Sequence, residues 1–204
     1  MITREGALEF LNKKIENKQA CFSQAQNKNI IKHMLACEAM MCALAGELKS
    51  KNEKVKIDEE EWGMAGLLHD GDYSPEVPVE KQGIQITDWL REKGYEVPEN
   101  VAQAMAAHNW HNNQVEPKSQ MDWALFCGDS LTGLIVAATL VLPSRKLSDL
   151  TVENVLNRFK EKSFAKGTRR EDIVLCEEKL GIPLEEFIKI TLSSMQSIAS
   201  ELGL

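Results

Sequence analysis

The stretch Trp123-Ala-Leu-Phe-Cys-Gly-Asp129-Ser-Leu-Thr-Gly-Leu134 is the most apolar part of the sequence, and an aspartate lies in its middle. A helix that is apolar on all sides is typical of a buried core. An unpaired carboxylate is costly in such a place, so Asp129 needs a cation, a hydrogen-bond donor or a proton. Gly128 and Gly133 would allow another backbone or a ligand to approach closely. The stretch therefore predicts a polar site within the core.

Helical periodicity continues on both sides of this stretch. Apolar residues repeat every three or four positions over 28–49, and again over 184–202. Asp58 begins another such segment as a helix-capping residue. No stretch combines period-two alternation with β-branched enrichment. The sequence predicts an all-α fold, with a helical domain over 1–143 and a helical C-terminal extension over 144–204 packed on the same core.

Composition limits the classes of protein to be considered. The 204 residues are 43 % hydrophobic and 27 % charged, a balance typical of a globular protein. A net charge of −7 argues against a long nucleic acid as partner. However, residues 145–170 carry eight basic and three acidic side chains, which suits a small anionic ligand.

Cysteine usage and apolar run lengths indicate a cytoplasmic protein. The five cysteines are odd in number and form no C-x-x-C pair, so we expect reduced core residues, Cys21 among them. The longest apolar run, Leu134 to Leu142, is nine residues. A bilayer span needs about 20 residues, so no membrane partner is expected. A homodimer remains open.

Histidines and acids suggest a metal site. His69 is followed at once by Asp70, where Gly71 ends a predicted helix, and at a helix end both side chains can turn towards one ion. His33 lies among apolar residues of another helix. Two imidazoles, Asp70 and the buried Asp129 make a set of four nitrogen and oxygen ligands suited to first-row divalent metals.

At these residues the sequence resembles the HD-domain superfamily of metal-dependent phosphohydrolases. The likeness lies in His33, then Leu67-Leu-His-Asp70, then a distant Asp129 within a helix. The sequence is also similar, over most of its length, to an uncharacterised branch of predicted HD-superfamily hydrolases. That similarity rests on Asn29-Ile-Ile-Lys-His33, His69-Asp-Gly-Asp-Tyr73, Ala107-His-Asn109, Asp129-Ser-Leu-Thr-Gly-Leu-Ile-Val136 and Pro143-Ser-Arg-Lys-Leu-Ser-Asp149.

The resemblance implies a helical fold whose centre binds one divalent transition metal ion (Mn, Fe, Co, Ni or Zn). The implied ligands are His33, His69, Asp70 and Asp129. Dinuclear members of the superfamily add two histidines, and the corresponding places here look like Gln82, before Gly83, and His108. Because a neutral amide is a poor ligand for these metals, we expect one ion, with His108 facing the substrate. A second metal is the alternative, and His111 is interpreted as an exposed loop histidine.

The implied reaction is hydrolysis of a small phosphate ester, with nucleotides among the candidates. A metal ion lowers the pKa of its bound water, from about 15.7 to about 7 in the best zinc case, and polarises a phosphoryl oxygen. Asp70, Asp72 and His108 are the catalytic candidates. Asp72 fits equally well as a general acid or base and as the cap of a turn.

Further residues are candidates for supporting roles. Ser130 and Thr132 flank Asp129 and are expected to orient it. Arg145 and Lys146 follow the same helix and are the preferred phosphate-binding pair. A second candidate anion clamp consists of Lys166, Arg169 and Arg170.

Three other functions compete with hydrolysis. The main alternative is a non-catalytic module that binds metal or nucleotide, or signals, on the same fold. A two-iron oxygenase would need more ligands than Gln82 allows. A helical interaction protein would leave the histidines without a common role.

Overall fold

The computed structural model describes residues 2–17, 24–51 and 56–204. The α-helices are α1 (Arg4–Asn17), α2 (Gln24–Lys51), α3 (Glu59–Leu68), α4 (Gln85–Glu92), α5 (Glu99–Ala107), α6 (Trp110–Asn113), α7 (Gln120–Leu140), α8 (Val152–Lys160), α9 (Arg170–Ile173), α10 (Leu175–Leu180), α11 (Leu184–Ser197) and α12 (Ala199–Leu202). Short 3-10 turns cover Val79–Lys81 and Leu147–Asp149. These ranges contain no strand, so the predicted all-α fold is confirmed.

Helix α7 is the central element of the core. Ser119 caps it, accepting from the backbone N–H of Asp122, whose carboxylate accepts from the Ser119 N–H in return. Within the described ranges it is the one helix long and apolar enough to cross a membrane, but 67 % of its most apolar window is buried in the fold. Helices α2, α5 and α8–α11 pack around it.

Helices α2 and α3 approach each other so closely that their backbones touch. A Cβ added to Gly66 on α3 would lie 2.6 Å from the Cys37 carbonyl oxygen of α2, and one added to Gly63 would lie 2.6 Å from the Cys42 sulfur. These glycines are three positions apart, so both lie on the side of α3 that faces α2. The next position in that series is His69, which is therefore directed towards α2.

The residues after Pro143 pack on the same core as the rest of the described chain. Leu147, Phe187 and Met195 belong to one hydrophobic cluster with residues of α2 and α7. The periodicity predicted one helical segment over 184–202, but the structure divides it in two at Ile198.

The described cysteines are free thiols. Cys37, Cys127 and Cys176 are buried, as predicted, and Cys42 is half-buried. The prediction for Cys21 lies outside the described residues.

Arg170 holds the loop that joins α8 to α9. Its guanidinium donates to the carbonyl oxygens of Phe159 (2.7 Å) and Phe164 (2.8 Å). Further contacts join it to the carbonyls of Glu161 at 3.1 Å and Arg158 at 3.2 Å. Because these contacts occupy its N–H groups, the guanidinium stabilises the loop and has few donors left for an external anion.

The α2–α3 contact makes Gly66 intolerant of any side chain. We expect Gly66→Ala to lower the free energy of unfolding by about 3 kcal/mol, because backbone atoms of α2 cannot rotate away as a side chain would. Gly46→Ala is the matched control, since its Cβ would meet only Glu59 Oε2, at 4.0 Å. That change should stabilise α2 by about 0.5–1 kcal/mol through helix propensity. Equal effects of the two changes in urea unfolding would contradict the close contact.

Loss of the Arg170 guanidinium contacts should destabilise the protein more than loss of the Arg169 guanidinium. Arg170→Met keeps the apolar stem but removes the donors, and we expect a cost of about 2 kcal/mol. Arg169→Met, at an exposed side chain, should change stability by less than about 0.5 kcal/mol. Thermal and urea unfolding measure both, and similar values for the two variants would show that the carbonyl contacts carry no net stability.

Candidate metal centre

Four helices bring the predicted ligands to one place. His33 is on α2, His69 and Asp70 end α3, and Asp129 is in the middle of α7. The fifth residue, His108, ends α5. The C-terminal ends of α3 and α5 and the close α2–α3 contact at Gly66 meet at this point. Polar groups therefore fit here between apolar helices.

The four predicted ligands lie within ion-binding distance of one another. His33 Nε2 is 2.9 Å from Asp129 Oδ1 and 3.7 Å from Asp70 Oδ2. His69 Nε2 is 3.6 Å from Asp70 Oδ2 and 3.9 Å from Asp129 Oδ1. His108 joins them from the other side, with Nε2 3.5 Å from Asp70 Oδ1. Asp70 thus faces all three imidazoles.

The outer ring nitrogens of the three histidines are tied down. His69 Nδ1 lies 2.8 Å from the Gly66 carbonyl, and His108 Nδ1 contacts the Met105 carbonyl. Because a carbonyl only accepts, each Nδ1 carries a proton, and each Nε2 is directed at the centre. Such a bond at the outer nitrogen fixes the tautomer and ring orientation of a metal-binding histidine.

Thr132 fixes the third ring. Its hydroxyl donates to the Asp129 carbonyl at 2.8 Å and lies 3.3 Å from His33 Nδ1, so it accepts the His33 proton. The sequence predicted Thr132 as an orienting residue for Asp129, and the structure gives it contacts with the backbone of that residue and with the His33 ring. Ser130, the other predicted orienting residue, lines the cavity described below.

Electrostatics keep the two carboxylates ionised. Burial opposes the charge of Asp70, but His69 and His108 hold its pKa below the ordinary value. Burial likewise opposes the charge of Asp129, and the hydrogen bond from His33 lowers its pKa. The centre is therefore ready to receive a cation.

The histidines divide into two electrostatic types. Burial lowers the pKa of His69 to about 4, so this ring is neutral at physiological pH. Burial also opposes protonation of His33, but Cys37 and Asp129 together hold its pKa well above the ordinary value. Burial also opposes protonation of His108, but the hydrogen bond to Asp70 and the charges of Asp70 and Asp129 together raise its pKa.

His69 Nε2 is the atom of the centre that most clearly fits a cation site. The side chain is fully buried, and its Nε2 has no hydrogen-bond partner among the described residues. Buried polar atoms are nearly always satisfied, and an exception needs an explanation. A lone pair directed at two carboxylates, with two further imidazoles nearby, fits a first-row divalent ion. The donor set therefore suits the metal that the resemblance implies.

Asp72 has its carboxylate directed away from the centre. It is fully buried and accepts from the backbone N–H groups of Gly83 (2.9 and 3.0 Å) and Ile86 (2.9 Å). Burial raises its pKa. Of the two interpretations from the sequence, this geometry favours the cap, here at the start of α4.

The loop before α4 packs against His108. Gly83 has φ +82°, and a Cβ there would lie 2.4 Å from the Met105 carbonyl and 2.9 Å from His108 Cε1. The neighbouring Gln82 directs its amide nitrogen to the Val77 carbonyl, at 3.3 Å.

His111 is separate from the centre. It lies on α6, its Nε2 pairs with the Asp172 carboxylate at 2.9 Å, and its ring stacks on Trp110. As predicted, the side chain is exposed.

Two cavities open beside His33. The first has a volume of about 410 Å³ and lies between the centre and the α8–α9 loop, with its walls formed by His33, Asp129, Ser130, Gly133, Ala165, Lys166, Gly167 and Thr168. The second has a volume of about 360 Å³, and its walls contain the aliphatic Val136, Leu140, Leu202 and Leu204 together with Asn29 and Lys32. Both include His33 and Gly133 in their walls, so the two cavities are adjacent, and we refer to them as the polar and the apolar half of a cleft.

The basic residues differ in their relation to this cleft. Lys166 lines the polar half, whereas Arg145 and Lys146 line neither cavity. Arg145 has φ 54° in the exposed turn after α7. The order of preference drawn from the sequence, with Arg145 and Lys146 first, is therefore not supported by the cavity geometry.

Cys37 is the neighbour of the centre that the sequence reasoning missed. Its buried sulfur is 3.9 Å from His33 Nε2. The available signal was its spacing, because residues four apart on a helix lie on the same face.

Comparison with known proteins gave no match of any kind, neither to a family model nor to a curated protein nor to a solved structure.

The lowered pKa of His69 predicts that the metal-free protein loses stability in mild acid. The unfolded histidine takes up its proton near pH 6.5 and the folded one only near 4, so stability is complete above 6.5 and falls between these values. Its contribution should be about 2 kcal/mol lost by pH 5.

Urea unfolding at several pH values in chelator measures this loss. His69→Gln, which cannot titrate, should flatten the profile between pH 6.5 and 5. A wild-type profile identical in slope to that of His69→Gln would contradict the buried neutral imidazole.

Proposed function

We propose that the protein is a metal-dependent hydrolase of small phosphate monoesters. The observation that carries the proposal is the buried His69 Nε2, which has no hydrogen-bond partner among the described residues and faces two carboxylates next to an open cleft. The proposed ligands of a single divalent ion are His33, His69, Asp70 and Asp129. The resemblance to the HD-domain phosphohydrolases supports the same assignment and belongs to the proposal.

The ion would lower the pKa of a bound water and polarise a phosphoryl oxygen. The chain's own residues orient that chemistry. Gly66, Thr132 and Met105 fix the tautomers of the three imidazoles. His108, which the sequence predicted to face the substrate, lines neither cavity, and its proposed role is to orient Asp70, whose Oδ1 lies 3.5 Å from its Nε2. Since the Asp72 carboxylate accepts three backbone contacts, we give it no proton-transfer role.

The two halves of the cleft suggest how a substrate lies. In the polar half, Lys166 supplies a cation to the phosphate, on the same wall as Ser130 and Thr168. In the apolar half, aliphatic side chains would hold the organic part. Among the residues that the structure describes, neither cavity lining contains an aromatic ring other than His33, and these residues offer no platform for a stacked base. We therefore favour an ester with an aliphatic body over a nucleotide.

The test is release of inorganic phosphate from a panel of phosphomonoesters in the presence of Mn²⁺, Co²⁺, Ni²⁺ or Zn²⁺. We expect activity that Asp129→Asn abolishes together with metal binding. Lys166→Ala should raise KM about tenfold, the value of one charge-assisted contact, with a smaller effect on kcat. Lys162→Ala is the matched control, because it removes the same charge from a residue that lines neither cavity and should leave KM unchanged.

Two other results would redirect the proposal. If the protein binds metal but hydrolyses no ester of the panel, the non-catalytic module is favoured instead. If Arg145→Ala with Lys146→Ala raises KM and Lys166→Ala does not, the phosphate site is at the turn after α7, as first expected from the sequence.

A further inference from the structure

Cys37 lies against the inner side of the metal centre, away from the cleft. Its sulfur is 3.9 Å from His33 Nε2 and 3.6 Å from Thr132 Oγ1, and the residue is fully buried. The other buried thiols differ from it in their surroundings. Cys127 and Cys176 neighbour each other, and burial raises the pKa of the Cys127 thiol. Packing alone accounts for that pair but not for a thiol in contact with a ligand ring.

Four ligand atoms surround this inner position. One atom each from His33, Cys37, His69 and Asp129 all lie within 4.8 Å of one another. Bond lengths of tetrahedral zinc place neighbouring N, O and S ligands roughly 3.3–3.6 Å apart. The observed separations are on either side of this range, with 2.9 Å for His33 to Asp129 and 3.9 Å for His33 to Cys37. Small side-chain rotations would close the set.

A second observation points to the same position. His69 Nε2 is fully buried, lacks a hydrogen-bond partner in the described part of the chain and belongs to this group of four. In addition, His33 and Cys37 are one turn apart on α2, so one rigid helix presents both an imidazole and a thiol. The inner position thus joins a thiol to an imidazole nitrogen that lacks a partner.

We propose that Cys37 is a metal ligand, and that with His33, His69 and Asp129 it makes the centre selective for Zn²⁺ or Co²⁺ over Mn²⁺ or Mg²⁺. The inference rests on the metal site of the proposed function and exchanges Asp70 for Cys37 in its ligand set. The sulfur–metal bond forms as the thiol proton leaves to solvent, with no change of oxidation state. A thiolate is a soft ligand, which favours zinc over ions that prefer oxygen.

The experiment is a Co²⁺ titration of the metal-free full-length chain under anaerobic, reducing conditions, followed by absorption. We expect a thiolate-to-cobalt charge-transfer band in the near ultraviolet. Cys37→Ser and Cys37→Ala should both lose the band and bind Zn²⁺ at least about tenfold more weakly, while affinity for Mn²⁺ changes little. Cys42→Ser is the control on the same helix, with its sulfur near the Glu59 carbonyl, and should keep the band.

The outcomes separate this inference from the proposed function. Co²⁺ binding without a charge-transfer band in the unmodified protein overturns the Cys37 ligand and leaves the metal site standing. The same holds if Cys37→Ala keeps its zinc affinity within twofold. Failure of the unmodified protein to bind Co²⁺ at all overturns both. Circular dichroism of the metal-free variants verifies folding, and the spectrum of the unmodified chain decides the question even if both variants misfold.

Discussion

The contact between the backbones of α2 and α3 is the constraint on which the rest of the structure depends. With Gly66 pressed against Cys37, the helices cannot separate or slide by a residue without a clash or a gap. This contact sets the distance from His33 on one helix to His69 on the other, and the Gly66 carbonyl also orients the His69 ring. One glycine therefore determines both the packing and the geometry of the candidate centre.

The centre is a compact group of opposite charges within an apolar interior. Asp70 and Asp129 stay ionised because histidines surround them, and His69 stays neutral because it is fully buried. Removal of one member of such a group leaves the others without compensation, which costs far more than a surface ion pair. The stability of the core and the readiness of the site for a cation are consequently linked.

The C-terminal helices pack on the first part of the chain and also contribute to the walls of the cleft. Their loop supplies Lys166 to the cleft, and α12 supplies Leu202 to its apolar half. Arg170 holds that loop through the backbone carbonyls of Phe159, near the end of α8, and of Phe164, within the loop. The sequence placed Arg170 in a candidate anion clamp, whereas in the structure it stabilises the loop that carries Lys166.

The sequence by itself determined the helices, several of their caps and the convergence of His33, His69, Asp70 and Asp129, because these depend on local periodicity, on hydrogen bonds over three or four residues and on a motif with recognisable spacing. Only the tertiary structure decided which way Asp72 points, which cation lines the cleft and that Cys37 reaches the centre. The reason is that such facts depend on distances between helices far apart in the chain. The sequence of one helix does not show which residues of a distant helix it contacts. These contacts can therefore be assigned only once the packing of the two helices is known.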